Sequence, residues 1–343
     1  MSEQKVLFLE KAQGSFIVSK APIPKPGPGQ LLVSVKASAL NPAECLVQDY
    51  GLFVEKFPAI LGSDIAGDVV EVGEGVEGFS KGDKVFYHGY MGSEMAGYQE
   101  YSLTAADLAA KIPPNIDYAQ AASLPVAFNT SAIGLLSAQP AGAGLNPTFD
   151  LKVNYGGESA LVVGGSTSVG QYAIQLFRLL GYSTIITYAS ARHTDFLKSL
   201  GATHVIDRGE IAIGNLAEAV KKIATAPLKI AYNAIGDAEC RSACVDSIVE
   251  GGQVADVNPM EAKDPGNGKR VFGIFGTPHH PANRDFGVVL CKTLPKLLQD
   301  GLIVPNRMEK LPHGFAGVEE GIKRLRTKQV SGIKLFVIPQ ETA

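Results

Sequence analysis

The chain has 343 residues, which is long enough for two domains that each bury their own core. Its 45% hydrophobic and 19% charged residues are typical of a globular protein, and a formal net charge of −3 provides no basic surface for nucleic acid or an anionic membrane. No apolar run reaches the roughly 18 residues that span a bilayer, and the N-terminus has no apolar signal-peptide core, so a cytoplasmic protein is expected.

The first 125 residues predict a mostly β domain with strongly bent strands. Short apolar runs such as GQLLVSVKASAL, DIAGDVVEVGEGVEGF and GDKVFY are separated by Gly and Pro. Such spacing is typical of strands joined by tight turns.

From about residue 126 the pattern changes to strands that alternate with helices. Examples are the strands SALVVGG, STIITYA and KIAYNAIG and the helices VGQYAIQLFRLLG and NLAEAVKKIA. This alternation predicts an α/β fold with a doubly wound parallel sheet. After about residue 285, two helical segments precede a last strand, GIKLFVIP.

The segment LVVGGSTSVGQYAIQLF, residues 161–177, predicts a strand, a turn of small residues and a helix. Small residues in such a turn let backbone N–H groups approach a pyrophosphate, which the N-terminus of a helix also attracts. Because the spacing is not G-x-G-x-x-G, an ordinary turn without a ligand is the alternative. The residues predicted to hold a dinucleotide here are Gly164, Gly165, Ser166, Thr167, Ser168 and Val169.

The strand that follows this helix indicates which dinucleotide binds. In NAD-binding folds an acidic residue about 20 residues beyond the turn binds the ribose hydroxyl groups. The segment STIITYASARH has no acid, and Ser190 and Arg192 are able to bind a 2′-phosphate through charge-assisted hydrogen bonds. We therefore predict NADPH, with His193 beside Arg192 in the site. A solvated cation at a helix start is the alternative for Arg192.

The layout resembles the medium-chain dehydrogenase/reductase superfamily over nearly the whole chain. The resemblance rests on the combination of PGPGQLLVSVKASALNP, LGSDIAGDVVEVGEGVEGFSKGDKVF, VVGGSTSVG and LGATHVID. It implies a GroES-like catalytic domain formed by residues 1–125 and 286–343, and a Rossmann NADPH-binding domain formed by residues 126–285.

Alcohol dehydrogenases of this superfamily carry a catalytic zinc, and their ligand positions hold other residues here. Asn41 stands in place of their first cysteine ligand, and Ser63 stands in place of their histidine ligand. No cysteine lies between Cys45 and Cys240, so the four-cysteine structural zinc lobe is missing as well. Since catalytic zinc needs three protein ligands, the chain resembles a zinc-free member. A site built on Cys45 and the pair His279–His280 is the alternative.

The segments VQDYGLF, ILGSDIAG and GTPHHPANRDFG most resemble the fungal enoyl-reductase-like branch, which includes trans-acting enoyl reductases of polyketide synthesis. This resemblance implies an NADPH-dependent reductase of activated C=C bonds, in which hydride adds to the β-carbon and the enolate is then protonated. One alternative is an NADPH quinone oxidoreductase. Another is an NADPH-binding partner that acts in trans on the carrier domain of a polyketide synthase. Either a monomer or a homodimer is expected.

Three residues are the catalytic candidates. Tyr50 is the predicted proton donor, because the catalytic tyrosine of mitochondrial-type enoyl reductases falls on it, and it is expected on a loop over the nicotinamide. Asn41 is the next candidate, as an amide donor, and Thr130 matches a family position near the nicotinamide. The alternatives are a packed tyrosine, a turn residue before Pro42 and a helix cap, respectively.

Three further residues are placed by the same resemblance. Arg208 is expected over the adenine and Lys334 beside the cofactor, although both are by default ordinary surface cations. Asp64 is expected to be structural, as a hydrogen-bond acceptor that supports the loop around residue 41.

Overall fold

Two units make up the computed structural model, which describes residues 2–266 and 268–343. The first unit contains the chain up to Val126 together with Cys291–Gly301 and Pro305–Ala343, and the second contains Ala127–Leu290 and Leu302–Val304. The chain therefore leaves the first unit near residue 126 and returns to it inside the helix that follows residue 283.

The strands of the described residues are numbered in chain order. They are β1 (Glu3–Leu9), β2 (Phe16–Pro22), β3 (Gln30–Ala39), β4 (Ala59–Ile60), β5 (Asp64–Val72), β6 (Lys84–His88), β7 (Tyr101–Ala105), β8 (Ala109–Lys111), β9 (Ser159–Val163), β10 (Thr184–Ala189), β11 (His204–Asp207), β12 (Ile230–Asn233), β13 (Gln253–Asp256), β14 (Arg270–Gly273), β15 (Met308–Lys310) and β16 (Lys334–Val337).

The α-helices are numbered in the same way. They are α1 (Pro42–Tyr50), α2 (Tyr118–Ala122), α3 (Pro125–Leu136), α4 (Ser168–Leu179), α5 (Thr194–Leu200), α6 (Leu216–Ile223), α7 (Ala238–Ser247), α8 (Arg284–Gln299) and α9 (Val318–Arg326). Among the described residues, no helix combines the length and the hydrophobicity that crossing a bilayer requires.

The first unit is built on two sheets. One has the strand order β2-β1-β4, and the other has the order β15-β16-β3-β5-β6-β8, with β7 also paired to β3. The pairing of β3 with β5 shifts register between Leu32 and Val33 and again between Val35 and Ala37. Such irregularities bend a strand and increase its twist, which agrees with the bent strands that the sequence predicts.

The last strand of the chain completes the core of the first unit. β16 pairs antiparallel with β3, where Phe336 lies opposite Ala39. Leu335 and Val337 are fully buried in the same apolar cluster as Val47 of α1. Segments from both ends of the sequence therefore stabilise this unit by burying one continuous apolar surface.

The second unit contains the predicted parallel sheet. Its order is β11-β10-β9-β12-β13-β14, and every neighbouring pair is parallel. All residues of β9, β10 and β12 are buried, as expected for strands covered on both faces. The order reverses at β9, whose successor in the chain, β10, lies on one side while β12 lies on the other. The predicted α/β fold with a doubly wound sheet is thereby confirmed.

Candidate functional site

The turn after β9 is built from glycines that cannot be replaced without a clash. Gly164 has φ +85°, in the left-handed region that favours glycine. A Cβ on Gly165 would lie 2.0 Å from Thr187 Oγ1, and a Cβ on Gly170 would lie 2.3 Å from the carbonyl oxygen of Gly164. The backbone of the turn therefore lies close against β10 and the start of α4.

The N-terminus of α4 is capped and accessible. Thr167 Oγ1 accepts a hydrogen bond from the N–H of Gly170 at 3.0 Å, while the residues from Ser166 to Val169 are half-buried. A helix leaves its first N–H groups without intrahelical partners and carries a partial positive charge at this end. The turn therefore has the backbone geometry and the field that bind a pyrophosphate.

This turn lies at the point where the strand order of the sheet reverses. A Cβ on Gly164 would meet Ile235 Cδ1 at 2.7 Å, so the turn after β9 touches the segment after β12. In doubly wound sheets, ligands bind outside the carboxyl ends of the strands at this switch point. The glycine turn is thus where the second unit is built to hold a dinucleotide.

The residues predicted to select NADPH gather at the carboxyl ends of β10 and β11. Ser190 is half-buried, and Arg192 and Arg208 are exposed. Arg192 Nε donates to His193 Nε2 at 3.2 Å, and the N–H of Arg208 donates to the carbonyl of Ala189 at 2.9 Å. The carboxyl ends of two neighbouring strands therefore present two guanidinium groups, a hydroxyl and an imidazole.

Sequence reasoning missed Asp207, the last residue of β11. Its Oδ1 accepts hydrogen bonds from the N–H groups of Ala191 and Gly209, both at 3.0 Å. Because β11 pairs with β10, this carboxylate lies beside the segment that carries Ser190 and Arg192. Asp207 fixes the backbone of that segment. The sequence contains a signal for this residue, because the segment LGATHVID predicts a strand that ends at Asp207.

Thr130 also lies in the second unit, inside α3 rather than at its start. It is half-buried, and a Cβ on Gly276 would meet its Oγ1 at 2.2 Å. The helix-cap alternative for Thr130 is therefore wrong. A role near the nicotinamide stays a prediction.

In the first unit, Asn41, Asp64 and Lys334 form a buried triangle, here called the Asp64 cluster. Asn41 Nδ2 donates to Asp64 Oδ2 at 2.8 Å, and Lys334 Nζ lies 2.7 Å from Asn41 Oδ1 and 2.6 Å from Asp64 Oδ2. The side chains of Lys334 and Asp64 are 3% and 0% exposed. The other carboxylate oxygen, Asp64 Oδ1, accepts from the N–H of Val126 at 2.7 Å. The predicted support of the Asn41 region by Asp64 is confirmed.

Lys334 was expected beside the cofactor, and its ammonium group is instead engaged by Asp64 and Asn41. The cluster arises because β5, β3 and β16 are adjacent strands, which places Asp64 at the start of β5 near Lys334 at the start of β16. The ion pair accounts for the burial of this lysine without a ligand. A contact of Lys334 with the cofactor stays a prediction.

Glu44 borders this cluster and is completely buried. Its Oε2 accepts from the N–H of Asn41 at 2.7 Å, whereas Oε1 has no hydrogen-bond partner among the described residues. Burial, reinforced by the negative charge of Asp64, raises the pKa of the Glu44 carboxyl to about 8. Glu44 is therefore mostly protonated at neutral pH.

The donors around Asn41 do not fit a zinc ion. Zinc is held in proteins by thiolates, imidazoles and carboxylates, whereas here an amide and a carboxylate already bind an ammonium group. Within residues 2–266 and 268–343, no three His, Cys, Asp or Glu side chains are grouped so that they could hold a metal. The glycine turn of the second unit, by contrast, does fit a dinucleotide.

Tyr50 was expected on a loop, and this is wrong, because it is the last residue of α1. The helix follows from local signals: Asn41 at the N-cap, Pro42 in the first turn, Glu44 bonded back to the N-cap, and Gly51 at φ 70° as the C-cap. Tyr50 is 70% exposed, so its phenol faces solvent in this unit.

The two candidates in the first unit are not brought together. Asn41 and Tyr50 stand at opposite ends of α1, about 13 Å apart along its axis at 1.5 Å per residue. Asn41 is 4% exposed, and its amide is bonded at both ends. Near Tyr50, the end of α1 is tied to α9, because Arg326 Nη2 bonds Asp49 Oδ1 at 2.7 Å. Of the two, only the Tyr50 hydroxyl is free to meet a substrate.

Two family models match the chain. The model of the alcohol dehydrogenase GroES-like domain matches residues 27–114, and that of the zinc-binding dehydrogenase matches residues 168–273. The crystal structure of an alcohol dehydrogenase superfamily protein from Novosphingobium aromaticivorans superimposes with a TM-score of 0.78 at 25% identity, over 97% of this chain and 99% of that one.

Curated relatives match along almost the full length. The trans-enoyl reductase RAP2 of Pyricularia oryzae is 30% identical over 360 residues, which cover 98% of each chain. The enoyl reductase component lovC of the lovastatin nonaketide synthase of Aspergillus terreus is 30% identical over 362 residues, or 98% of this chain and 96% of that one.

Proposed function

Because the chain belongs to the medium-chain dehydrogenase/reductase superfamily of oxidoreductases, we propose that it is a zinc-independent, NADPH-dependent reductase of activated C=C bonds in enoyl and other α,β-unsaturated carbonyl compounds. One observation carries the substrate class: two relatives that are 30% identical along nearly the whole chain are enoyl reductases. A synthase carrier domain is one proposed source of substrate, since lovC is a component of a synthase.

The cofactor proposal is supported by the second unit. The glycine turn and the N-terminus of α4 hold the pyrophosphate, while Ser190 and Arg192 bind the 2′-phosphate on the segment fixed by Asp207. Arg208, which follows the neighbouring strand β11, would contact the adenine. When bound, the nicotinamide supplies the hydride that reduces the β-carbon.

The proton is supplied by the first unit. Reduction of a conjugated C=C places negative charge on the carbonyl oxygen of the substrate, and this enolate needs a hydrogen bond and a proton at the α-carbon. The exposed hydroxyl of Tyr50 provides both, whereas the amide of Asn41 is engaged by Asp64 and Lys334. Asn41 therefore has a structural role as the N-cap of α1, and Tyr50 at the other end of the helix is the catalytic residue.

A substrate panel tests the proposal. Oxidation of NADPH is followed with enals, enones, enoyl thioesters and quinones, without any partner protein and with chelator present. Turnover of enones and enoyl thioesters is expected. Turnover of quinones alone would establish the quinone oxidoreductase alternative, and turnover of enoyl substrates only with an added synthase would establish the trans-acting partner.

Cofactor selectivity is tested with Arg192→Ala. Loss of a charge-assisted phosphate contact should weaken NADPH binding by about 1.5–3 kcal/mol and leave NADH binding nearly unchanged. Titration of both cofactors measures this, and Lys198→Ala, an exposed cation on α5, is the control. Equal affinities of the wild-type protein for NADPH and NADH would contradict the assignment.

The role of Tyr50 is tested with Tyr50→Phe, which removes only the hydroxyl. The value of kcat for enones should fall by roughly 10²-fold if the phenol is the general acid, with cofactor affinity little changed. Quinone turnover should fall less, because it needs no proton on carbon. The half-exposed Tyr90 offers the control Tyr90→Phe. An equal response of enones and quinones to Tyr50→Phe would exclude the proton-donor role.

A further inference from the structure

The turn that follows β12 is held by side chains from the end of β12, from α7 and from the loop after β13. Asn233 Oδ1 accepts from the N–H groups of Ile235 and Gly236, both at 3.2 Å. The carbonyl of Gly236 accepts from Arg241 Nη2 at 3.1 Å and from Asn258 Nδ2 at 3.2 Å. Gly236 has φ +84°, so the turn depends on a left-handed backbone at this residue.

Asp256 at the end of β13 joins these side chains into one assembly. Its Oδ2 accepts from Asn233 Nδ2 at 2.9 Å and from Arg241 Nε at 2.8 Å, and its Oδ1 accepts from the N–H of Asn258 at 2.8 Å. Asp256 is 0% exposed and the Arg241 side chain is 13% exposed. We call Asp256, Asn233, Arg241 and Asn258 the Asp256 network.

A buried ion pair is weak grounds for stability, because removing two charges from water offsets most of their attraction. Here Asn233, Arg241 and Asn258, which all bond Asp256, also form hydrogen bonds with the backbone of the turn after β12. Asn233 accepts from, and Arg241 donates to, backbone groups of residues 235–236. The main effect of the network is therefore to fix the backbone conformation of this turn.

The turn lies at the switch point of the sheet. A Cβ on Gly164 would lie 2.7 Å from Ile235 Cδ1 and 3.5 Å from Ala234 Cβ, and the Ile235 side chain is 43% exposed. In a doubly wound sheet the first half, β9 to β11, receives the adenosine part of a dinucleotide, and the second half receives the other nucleotide. The turn of residues 234–236 opens that second half.

We infer that the Asp256 network positions the Ile235 turn to receive the nicotinamide half of the cofactor, so that Arg241, Asn233 and Asn258 are positioning residues for cofactor binding. This inference rests on the proposed function, since it assumes a dinucleotide on the second unit. The inference predicts that the network affects binding of the nicotinamide half of the ligand and does not affect binding of the adenosine half.

The test compares two ligands on one variant. For wild-type protein and Arg241→Met, the Kd of NADPH and the Kd of adenosine 2′,5′-bisphosphate are measured by calorimetry. Arg241→Met should raise the Kd of NADPH by about tenfold, as expected for the loss of one hydrogen bond that shapes the site, and should leave the Kd of the bisphosphate within about twofold. Arg241→Lys should restore part of the NADPH affinity, because it keeps a cation at Asp256 without a second donor for Gly236.

Asn258→Ala provides the second variant, for the case in which Arg241→Met does not fold. It removes the bond to Gly236 and leaves the backbone N–H of residue 258 on Asp256. NADPH should again weaken, by about threefold to tenfold, with the bisphosphate unchanged. Arg192→Ala is the matched control in the adenosine half and should weaken both ligands.

The outcomes distinguish a failure of the inference from a failure of the proposed function. An equal loss of both ligands in Arg241→Met and Asn258→Ala, or no loss of either, would overturn the inference. Failure of the wild-type protein to bind NADPH and the bisphosphate would overturn the proposed function instead. Selective loss of NADPH in both variants supports the inference.

Discussion

The two units each bury an aspartate between an asparagine and a cation, yet the two assemblies act on different parts of the molecule. The Asn–Asp bonds are 2.8 Å long in the Asp64 cluster and 2.9 Å in the Asp256 network. In the Asp64 cluster, Lys334 bonds both Asp64 and the amide oxygen of Asn41, so the triangle closes on itself. Its three bonds fix the orientation of the Asn41 amide, and the remaining Asp64 oxygen accepts from the N–H of Val126.

The Asp256 network is open, because its side chains also bond backbone groups outside the network. In the closed Asp64 cluster, Lys334 bonds both of the other members. The amide oxygen of Asn233 bonds two backbone N–H groups, and Arg241 reaches both Asp256 and the carbonyl of Gly236. A guanidinium group is a rigid fork with five donors, whereas an ammonium group is a compact point charge. The same trio of residue types therefore fixes a side chain with lysine and a backbone turn with arginine.

The largest effect is expected from Lys334→Met, because it leaves Asp64 buried without a cation. Breaking such a pair should lower the free energy of unfolding by about 3–5 kcal/mol, measured by urea denaturation. Lys310→Met is the control, since its pair with Glu341 is 47% and 37% exposed and should contribute about 1 kcal/mol or less. If Lys334→Met lowered the free energy of unfolding no more than Lys310→Met does, the Asp64 cluster would not stabilise the fold.

The Asp64 cluster should also respond to pH through Glu44. Because the pKa of Glu44 rises from 4.5 to about 8 on folding, the folded state keeps a proton that the unfolded state has lost between these values. Stability therefore falls as pH rises through that window, by on the order of 3 kcal/mol. Thermal unfolding from pH 5 to pH 8 measures this slope.

Glu44→Gln keeps the shape of the side chain and removes its titration. It should flatten the pH slope, whereas Glu55→Gln on the surface should leave the slope as in the wild-type protein. The same slope in Glu44→Gln and the wild-type protein would assign the pH dependence to other groups.

The smallest of these effects is expected from Arg241→Met in the open network. Asp256 keeps its bonds from Asn233 and from the N–H of Asn258, and Arg241 is partly exposed, so the free energy of unfolding should fall by only about 2 kcal/mol. Urea denaturation of both cation variants gives the comparison. A loss in Arg241→Met that equals or exceeds the loss in Lys334→Met would remove the distinction between the two assemblies.

The parts of the site made from backbone could be predicted from the sequence. The turn at Gly164 and Gly165 is local, and each glycine is required by contacts within a few residues or with the adjacent strand. The helix that carries Tyr50 was open to prediction as well, because its caps at Asn41 and Gly51 are local signals. The loop predicted for that segment does not take these two caps into account.

The support of Asn41 by Asp64 was predicted, but the cation of each assembly could not be, because it comes from a different element than the aspartate. Whether Lys334 meets a cofactor or Asp64 depends on the pairing of β16 with β3, which no local pattern states. Arg241 and Asp256 appear in the sequence as an ordinary helix residue and an ordinary strand end. The parallel pairing of β12 with β13 places Asn233 opposite Asp256, and Arg241 bonds Asp256 from α7.

The spacing of the two assemblies along the chain has a consequence for synthesis on the ribosome. Lys334 follows Asn41 by 293 residues, whereas Asn233 and Asp256 are 23 residues apart, with Arg241 between them. At about 5–20 residues per second, Lys334 emerges roughly 15–60 s after Asn41. The second unit has all of its charges while the first still waits for its lysine, so the nascent first unit holds an unpaired Asp64 until translation reaches β16. A chaperone that retains the N-terminal residues during this interval would keep Asp64 from being buried before its counter-ion has been synthesised.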